Sequence, residues 1–521
     1  MDYKLTYSTM FNPPPALHER FEAALAKVRA QLGATHRQLI GGADRSAEVT
    51  FELRTPIDRT VVLGRFPEAT PAEVAQAMAA AKAAFPGWRR TPAAERSRIL
   101  RRVASLIEER VYEIGAAVAL EVGKNRMEAL GEVQETADFF TVYCDDFERQ
   151  PFDHVLPDDP LPDYRSRNRS VMKPYGVWGV ITPFNFPFAL AGGPVAAALV
   201  TGNTVVLKGA TDTPWSGRLL ADCLRDAGVP SGVFNYVCGS GSGAGEALVS
   251  HPDLAGITFT GSHAVGMHIQ RRMSSGAWPR PCIAEMGGKN PVILSARADL
   301  DRATVGITRS VFGLSGQKCS AASRIYVQDS IADRLIERLV AQAAQLRVGD
   351  PTLRENWMGP VINERAWKNY ARYMDDLRSS GARILTGGTH LSEGALANGF
   401  FCAPTLVEAP LSHPLWQQEM FLPVAMIARV ADLETAMSLA NATSLGLTAG
   451  FYGHASEVSW FLDHIEAGVT YVNRPQGATT GAWPGYQPFG GWKGSGNTGK
   501  GIASAYYLAL YQREQSQTVV E

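Results

Sequence analysis

In SGQKCSAAS, residues 315–323, a lone cysteine, Cys319, follows a lysine and precedes a run of small residues. A thiol so placed either fills a small apolar space or, once deprotonated, attacks an electrophilic carbon. The remaining cysteines, 144, 223, 238, 282 and 402, are scattered, with no Cys-x-x-Cys pair and no His/Cys cluster at zinc spacing. That pattern predicts free thiols in a reducing compartment and speaks against a disulfide framework or a bound metal. The 10 histidines form no motif with Cys319, which weakens a cysteine–histidine hydrolase as a use for the thiol.

A second chemical feature lies upstream. CGSGSGAGEAL, residues 238–248, sets Gly239, Gly241, Gly243 and Gly245 between the strand-like VFNYV and a helical run. Glycines at such a junction let backbone approach a phosphate, and the helix N-terminus adds N–H groups and the positive end of its dipole. The spacing departs from G-x-G-x-x-G. A second strand-to-glycine junction follows in GITFTGSHAVG, with Gly261 and Gly266. On the residues alone the pair reads either as a nucleotide site or as two ordinary strand–helix turns.

These residues need a frame. At 521 residues the chain is too long for one ordinary core, and two or three domains are expected. With 45% hydrophobic and 19% charged residues and a net charge of −1, it has the composition of a soluble globular protein and no electrostatic basis for binding nucleic acid or an anionic membrane. MDYKLTYSTMFNPPP lacks the basic start and apolar run of a signal peptide. The most apolar stretch, FPFALAGGPVAAALV (186–200), is too short to span a bilayer, and Gly192-Gly193-Pro194 are expected to open a break within it. A cytoplasmic protein is expected.

Along the chain, an amphipathic helix around 16–32 and the strand-like EVTFELRT lead into a layer of long amphipathic helices over 70–150. TPAEVAQAMAAAKAAF opens that layer on a capping signature. GVWGVITPF and NTVVLKGA are β-branched runs alternating with helical segments, which predicts a parallel sheet covered on both faces. A second alternating region runs from PVILSA (291–296) through RIYVQD, a helix at 331–346 and VAMIARV to GVTYVNR (468–474). Two α/β domains meeting near 285–290 account for this. The terminal QREQSQTVVE alternates polar and apolar residues and is expected to add a strand to another sheet, that of a partner included.

Six stretches then stand in a fixed order: ITPFNFPFAL (181–190), KGATDTP (208–214), FTGSHAVG (259–266), EMGGKNPVI (285–293), SGQKCSAAS and EMFLPV (419–424). So arranged, from about residue 40 onward, the chain resembles the NAD(P)-dependent aldehyde dehydrogenase superfamily. The resemblance implies an α/β fold with a Rossmann-like NAD(P)-binding domain over 1–140 and 165–287, joined by 486–500. It further implies an α/β catalytic domain over 288–485 and a small β oligomerisation flap from 141–164 and 501–521. A homodimer or larger homo-oligomer follows from the same likeness, with a small-molecule aldehyde as substrate.

The implied chemistry assigns Cys319 as the nucleophile that forms a thiohemiacetal, and Asn185, with the Cys319 backbone N–H, as donor to the oxyanion. Glu285 is implied as the base that activates water against the thioester, with Gly287-Gly288 leaving the chain free to turn it inward. Its presence speaks against the coenzyme-A-acylating relatives. NAD is the implied cofactor, with NADP open, at Ile181, Thr182, Lys208, Thr211, Gly241, Gly245, Gly261, Ser262, Glu419 and Phe421; no metal is implied. The chain departs from the family at Phe184 (often Trp), Gly209 (usually Pro), Thr211 (often Glu in NAD-preferring members) and Leu422 (usually Gly), the last expected to shift the loop bearing Glu419. A neutral Thr211 neither accepts strongly from a ribose 2′-hydroxyl nor repels a 2′-phosphate.

TGAWPGYQPFGGWKGSG (480–496), together with GQKCSAASR, is most similar to the branch that oxidises L-glutamate γ-semialdehyde, the 1-pyrroline-5-carboxylate dehydrogenases of proline catabolism. There the substrate carboxylate is held at the positions of Gly481, Ala482 and Ser320, and its stem lies between rings matching Phe186 and Phe489. Trp483 and Tyr486 are expected beside that loop, narrowing the pocket or stacking an aromatic substrate. Lys318 reads either as a cation favouring the thiolate or as a plain surface lysine. The alternatives are another semialdehyde, a broader range of aldehydes, or a non-catalytic scaffold, which would be expected to lose the nucleophile or the base.

Overall fold

The structure, a computed structural model, describes residues 4–520 apart from 7–8, 11, 151, 161–162 and 476–480. The helical layer forms where the three- and four-residue spacing of apolar side chains requires it: Pro71–Trp88, Ala93–Glu109, Val111–Val122 and Arg126–Arg149. Pro71–Trp88 starts at Thr70, whose hydroxyl accepts from the Glu73 N–H at 3.3 Å while the Glu73 carboxylate accepts from the Thr70 N–H at 2.8 Å.

Two seven-stranded sheets carry the architecture. In the first, Cys282–Glu285, Leu254–Thr260, Val177–Ile181, Thr204–Lys208 and Phe234–Val237 run parallel in that spatial order, and Gln38–Ile40 and Ala43–Arg45 extend it antiparallel. Thr204–Lys208 is buried along its whole length, as a strand covered on both faces must be. The second sheet is ordered Arg383–Thr386, Thr405–Glu408, Val424–Val430, Ala322–Gln328, Asn290–Leu294, Thr448–Tyr452 and Val469–Val472, with only its first strand antiparallel. Residues 286–289 join the two sheets, and the Met286 N–H donates to the Ser495 carbonyl at 2.8 Å, so the chain near 495 returns to this junction.

The register fixes where chemistry can occur. Ile181 pairs with Lys208, Phe259 with Ile181, Thr260 with Glu285, and Val237 with Lys208. The carboxyl ends of all five parallel strands therefore lie along one edge, the edge at which open α/β sheets bind ligands.

One expectation is corrected. Gly192-Gly193-Pro194 open no break: the helix Ala189–Val200 runs through them, and all three are buried. Gly192 instead permits close helix packing, since a Cβ there would lie 2.2 Å from the Thr136 methyl. The terminal strand Gln512–Val520 pairs within its own chain, antiparallel to Ser166–Pro174, which also pairs with His154–Leu156. Ser166–Pro174 is thus the middle strand of this small sheet, and helix Arg126–Arg149 runs up to the segment that leads into it. Among the described residues no helix is long and apolar enough to cross a membrane, and no His, Cys, Asp and Glu side chains gather as a metal site.

Candidate active site

Cys319 sits on a loop that the backbone holds under strain. Helix Leu300–Phe312 ends, and Leu314, Ser315 and Gly316 take φ of 48°, 54° and 70° before the chain reaches the thiol. Left-handed conformations at Leu and Ser cost roughly 1–3 kcal/mol each. The surroundings offset that cost: Ser315 Oγ donates to the Gly359 carbonyl at 2.6 Å, and Gln317 Oε1 accepts from the Ile362 N–H at 2.9 Å. Beyond the thiol, Asn290 Nδ2 donates to the carbonyls of Cys319 and Ala321 at 2.7 and 2.9 Å, and Thr448 Oγ1 donates to that of Ser320 at 3.2 Å. Gly288 has to be glycine beside this loop, because a Cβ would lie 2.6 Å from the Cys319 carbonyl oxygen. The cysteine is half-buried, while the other five are buried and all six are free.

A cavity of about 90 Å³ opens beside the thiol, walled by Phe186, Phe489, Ser320, Ala482, Glu135 and Ile502 among others. Phe489 and Ile502 exchange backbone hydrogen bonds at 3.0 and 2.7 Å, which fixes one wall. Phe186 is fixed from behind by the Lys124 ammonium, 3.5 Å from its ring centroid. Lys124 is paired with Glu132, both without exposure, and Glu132 also accepts from the N–H groups of Phe188 and Ala189 at 2.8 and 3.2 Å, at the start of helix Ala189–Val200. Asn185 is buried one residue before Phe186.

Two carboxylates stand at the junction of the sheets. Glu285 ends its strand, and its Oε1 accepts from the Gly491 N–H at 3.2 Å, whereas its buried Oε2 has no partner among the described residues. Burial raises this carboxyl to about 8, an effect the Gly491 N–H partly offsets. Glu419 lies over Gly287, where a Cβ would come within 2.1 Å of its Oε2, and its Oε1 accepts from the Gly288 N–H at 2.9 Å. It is raised to about 7 by burial, against the pull of that N–H and of Lys289. Burial, then the charges of Glu285 and Glu419, push the Cys319 thiol up to about 12, while the N–H groups of Ser320 and Cys319 lower it. Glu285 thus titrates beside a neutral thiol, and the thiol beside a charged carboxylate.

The dinucleotide candidates line the carboxyl edge. Ile181 and Lys208 end adjacent strands, and burial lowers the Lys208 ammonium from its ordinary range. Thr182 Oγ1 is buried without a partner among the described residues. The segment Gly241–Gly245 coils in a wide turn capped by Ser240 Oγ, and a Cβ on Gly241 would meet nothing within 4 Å. Ser262, exposed, opens the 12-residue helix His263–Ser274 and leaves its first N–H groups uncapped by a side chain. Gly261 donates its N–H to the Glu285 carbonyl at 3.1 Å, and Thr211 Oγ1 donates to the Gly239 carbonyl at 3.1 Å. An open helix N-terminus, an orphaned hydroxyl and glycine backbone without overhang fit a dinucleotide phosphate.

The sequence pattern of the aldehyde dehydrogenase family matches residues 43–516. The chain belongs to the aldehyde dehydrogenase family. It is therefore an oxidoreductase that acts on aldehydes. It is 37% identical over 512 residues to a 1-pyrroline-5-carboxylate dehydrogenase from a Geobacillus species, covering 97% of this chain and 96% of that one. Among solved structures, the 1-pyrroline-5-carboxylate dehydrogenase from Thermus with bound NAD superposes with a TM-score of 0.92 at 32% identity, covering 100% of this chain and 99% of that one. Proline utilization A from Bdellovibrio bacteriovorus superposes with a TM-score of 0.90 at 34% identity over 96% of this chain, which spans 51% of that longer protein.

Within this aldehyde dehydrogenase several side chains lie elsewhere than their spacing suggested. Lys318 is neither at the surface nor turned to the thiol: buried, it donates to Glu128 Oε1 at 2.5 Å. Leu422 packs into the core of the second sheet, and the neighbouring Phe421 takes φ 57° with its ring edge-on to Phe184. Trp483 and Tyr486 do not line the cavity. Glu135 does, and it escaped the sequence reading because a single acidic residue on a long amphipathic helix reads as solvated surface. The one available signal was its position four residues before Phe139, which faces the same cavity.

Proposed function

We propose that this enzyme oxidises L-glutamate γ-semialdehyde to L-glutamate, with Cys319 as nucleophile and NAD as hydride acceptor. The observation that carries the reading is the cavity itself: beside one thiol it sets two phenyl walls, a carboxylate (Glu135), a hydroxyl (Ser320) and the backbone at Ala482. That set matches a short zwitterion. Gly481, Ala482 and Ser320 hold the substrate carboxylate, Glu135 faces its ammonium, and Phe186 and Phe489 cover its methylenes. The relatives named 1-pyrroline-5-carboxylate dehydrogenase, matched over nearly their full length, support the same substrate.

In the proposed mechanism the Cys319 sulfur adds to the aldehyde carbon as its proton passes to solvent. The resulting thiohemiacetal oxyanion takes hydrogen bonds from the Asn185 amide and the Cys319 N–H. Ile181, Thr182, Lys208, Thr211, Gly241, Gly245, Gly261, Ser262, Glu419 and Phe421 would hold NAD, which would supply the acceptor for the hydride that leaves the thiohemiacetal carbon as it becomes a thioester. Glu285 then takes a proton from water as the water oxygen adds to the thioester carbon. Collapse of that adduct breaks the C–S bond, releases glutamate and returns a proton to the sulfur. The first sheet is the cofactor-binding part and the second the catalytic part. The outer edge of Gln512–Val520 is where a second copy pairs to form a homo-oligomer, and the free thiol suits the reducing cytoplasm.

The test is nicotinamide reduction by the purified protein with L-glutamate γ-semialdehyde beside succinate semialdehyde, hexanal and benzaldehyde. A kcat/KM for the first at least about tenfold above the others is expected, as a site built around polar substrate groups should give. A higher value for hexanal or benzaldehyde would leave the oxidation chemistry standing and remove the substrate assignment. With NAD and NADP run in parallel, Thr211→Glu is expected to shift the ratio of kcat/KM values toward NAD by about 10- to 100-fold, because the new carboxylate repels a 2′-phosphate.

A further inference from the structure

Trp483 and Tyr486 follow directly on Gly481 and Ala482, yet the cavity uses neither ring. Tyr486 is 67% exposed, whereas Trp483 is 3% exposed and its indole N–H donates to Asp138 Oδ2 at 2.7 Å. Asp138 lies on helix Arg126–Arg149, one turn after Glu135 and beside Phe139, both of which face the cavity. One helix therefore builds one wall of the pocket and, through Asp138, also holds the loop that forms another wall.

The loop is a compact turn. The Trp483 N–H donates to the Gln487 carbonyl at 3.2 Å, the Tyr486 N–H donates to that of Trp483 at 2.9 Å, and Gly485 supplies the left-handed φ of 82°. Gln487 Nε2 reaches the Thr470 carbonyl at 3.3 Å, and Gly481, at φ 83°, leaves no room for a Cβ, which would lie 2.3 Å from the Arg474 guanidinium carbon. A turn closed by its own backbone moves as a body, so fixing Trp483 fixes Ala482 beside it. From outside, the Lys4 ammonium lies 3.5 Å from the same Asp138 oxygen and 5.5 Å from the Tyr486 ring centroid, strapping the N-terminal segment over the turn.

We propose that Asp138 is a positioning residue: its hydrogen bond to Trp483 sets the placement of Gly481 and Ala482 against the substrate carboxylate, and so the preference for carboxylate-bearing aldehydes. The proposal rests on the substrate reading above. Backbone donors discriminate only when held to within roughly 0.5 Å of their productive position, and a charge-assisted bond to a buried indole is the tie that does this here.

Trp483→Phe removes the donor and keeps the bulk, Asp138→Ala removes the acceptor, and Asp138→Asn keeps an acceptor oxygen. With L-glutamate γ-semialdehyde the first two are expected to raise KM about tenfold with kcat within about twofold, while Asp138→Asn restores most of the loss. With hexanal, which carries no carboxylate, the constants of all three should match those of the wild type, and that turnover also reports a folded enzyme. If Trp483→Phe does not fold, the Asp138 pair carries the comparison. Wild-type preference for the semialdehyde with variants that lose both aldehydes alike, or neither, overturns the tether alone. Wild-type preference for hexanal overturns the substrate reading and the tether with it.

Discussion

Cys319→Ala is expected to abolish aldehyde oxidation, lowering kcat by roughly 10⁴- to 10⁶-fold, the scale on which removal of a covalent nucleophile acts. The loss should be confined to chemistry. The dinucleotide candidates lie along the carboxyl edge of the first sheet, and the loop of Cys319 is tied by backbone and by Asn290 rather than by its own side chain. Cofactor affinity, measured by quenching of protein fluorescence, should therefore match that of the wild type. Oxidation persisting within about a hundredfold of wild type would place the nucleophile elsewhere. The other five cysteines are poor substitutes, being buried.

Glu285→Gln should separate the two halves of the reaction. Mixed with semialdehyde and NAD, the variant is expected to give one equivalent of reduced nicotinamide and then stall as a thioester, with steady turnover down about 10²- to 10⁴-fold, the usual worth of a general base. Rapid-mixing absorbance together with intact-protein mass reads both outcomes; steady multiple turnover would show that another group activates the water. The pH dependence carries the same assignment. Glu285 works only when deprotonated, and burial raises it to about 8, so wild-type turnover limited by hydrolysis should rise with pH and level off above that value. Linkage gives the sign for stability. A carboxyl raised in the fold from 4.5 to about 8 favours the folded state fully below 4.5 and loses that contribution as pH climbs through 8. The amide variant has no such loss and is expected to melt higher than wild type at pH 8.

The strands and most helices could be read from the chain because local rules specify them. β-branched runs leading into glycine mark TVVLK and GITFT, and a capping box marks the start at Thr70. Cys319, Glu285 and Asn185 could be put forward because their motifs stand in the order that resembles the family; each stretch alone left a structural role open. Where the reading failed, a partner distant in sequence had taken over. Gly192-Gly193-Pro194 looked like a break, but Thr136 needs the missing Cβ space. Lys318 looked like a surface cation until Glu128, 190 positions earlier, enclosed it.

Order, spacing and residue type along the chain were thus enough for the family and the two-sheet plan, and they put forward Cys319 and Glu285 as the proposed nucleophile and base. Tertiary packing settled the rest. It placed Glu135 and Ser320 in one cavity, turned Trp483 out of that cavity onto Asp138, and left one oxygen of Glu285 without a partner among the described residues at the junction of the sheets. Long-range proximity and desolvation determine those features, and neither is written in any local stretch of residues.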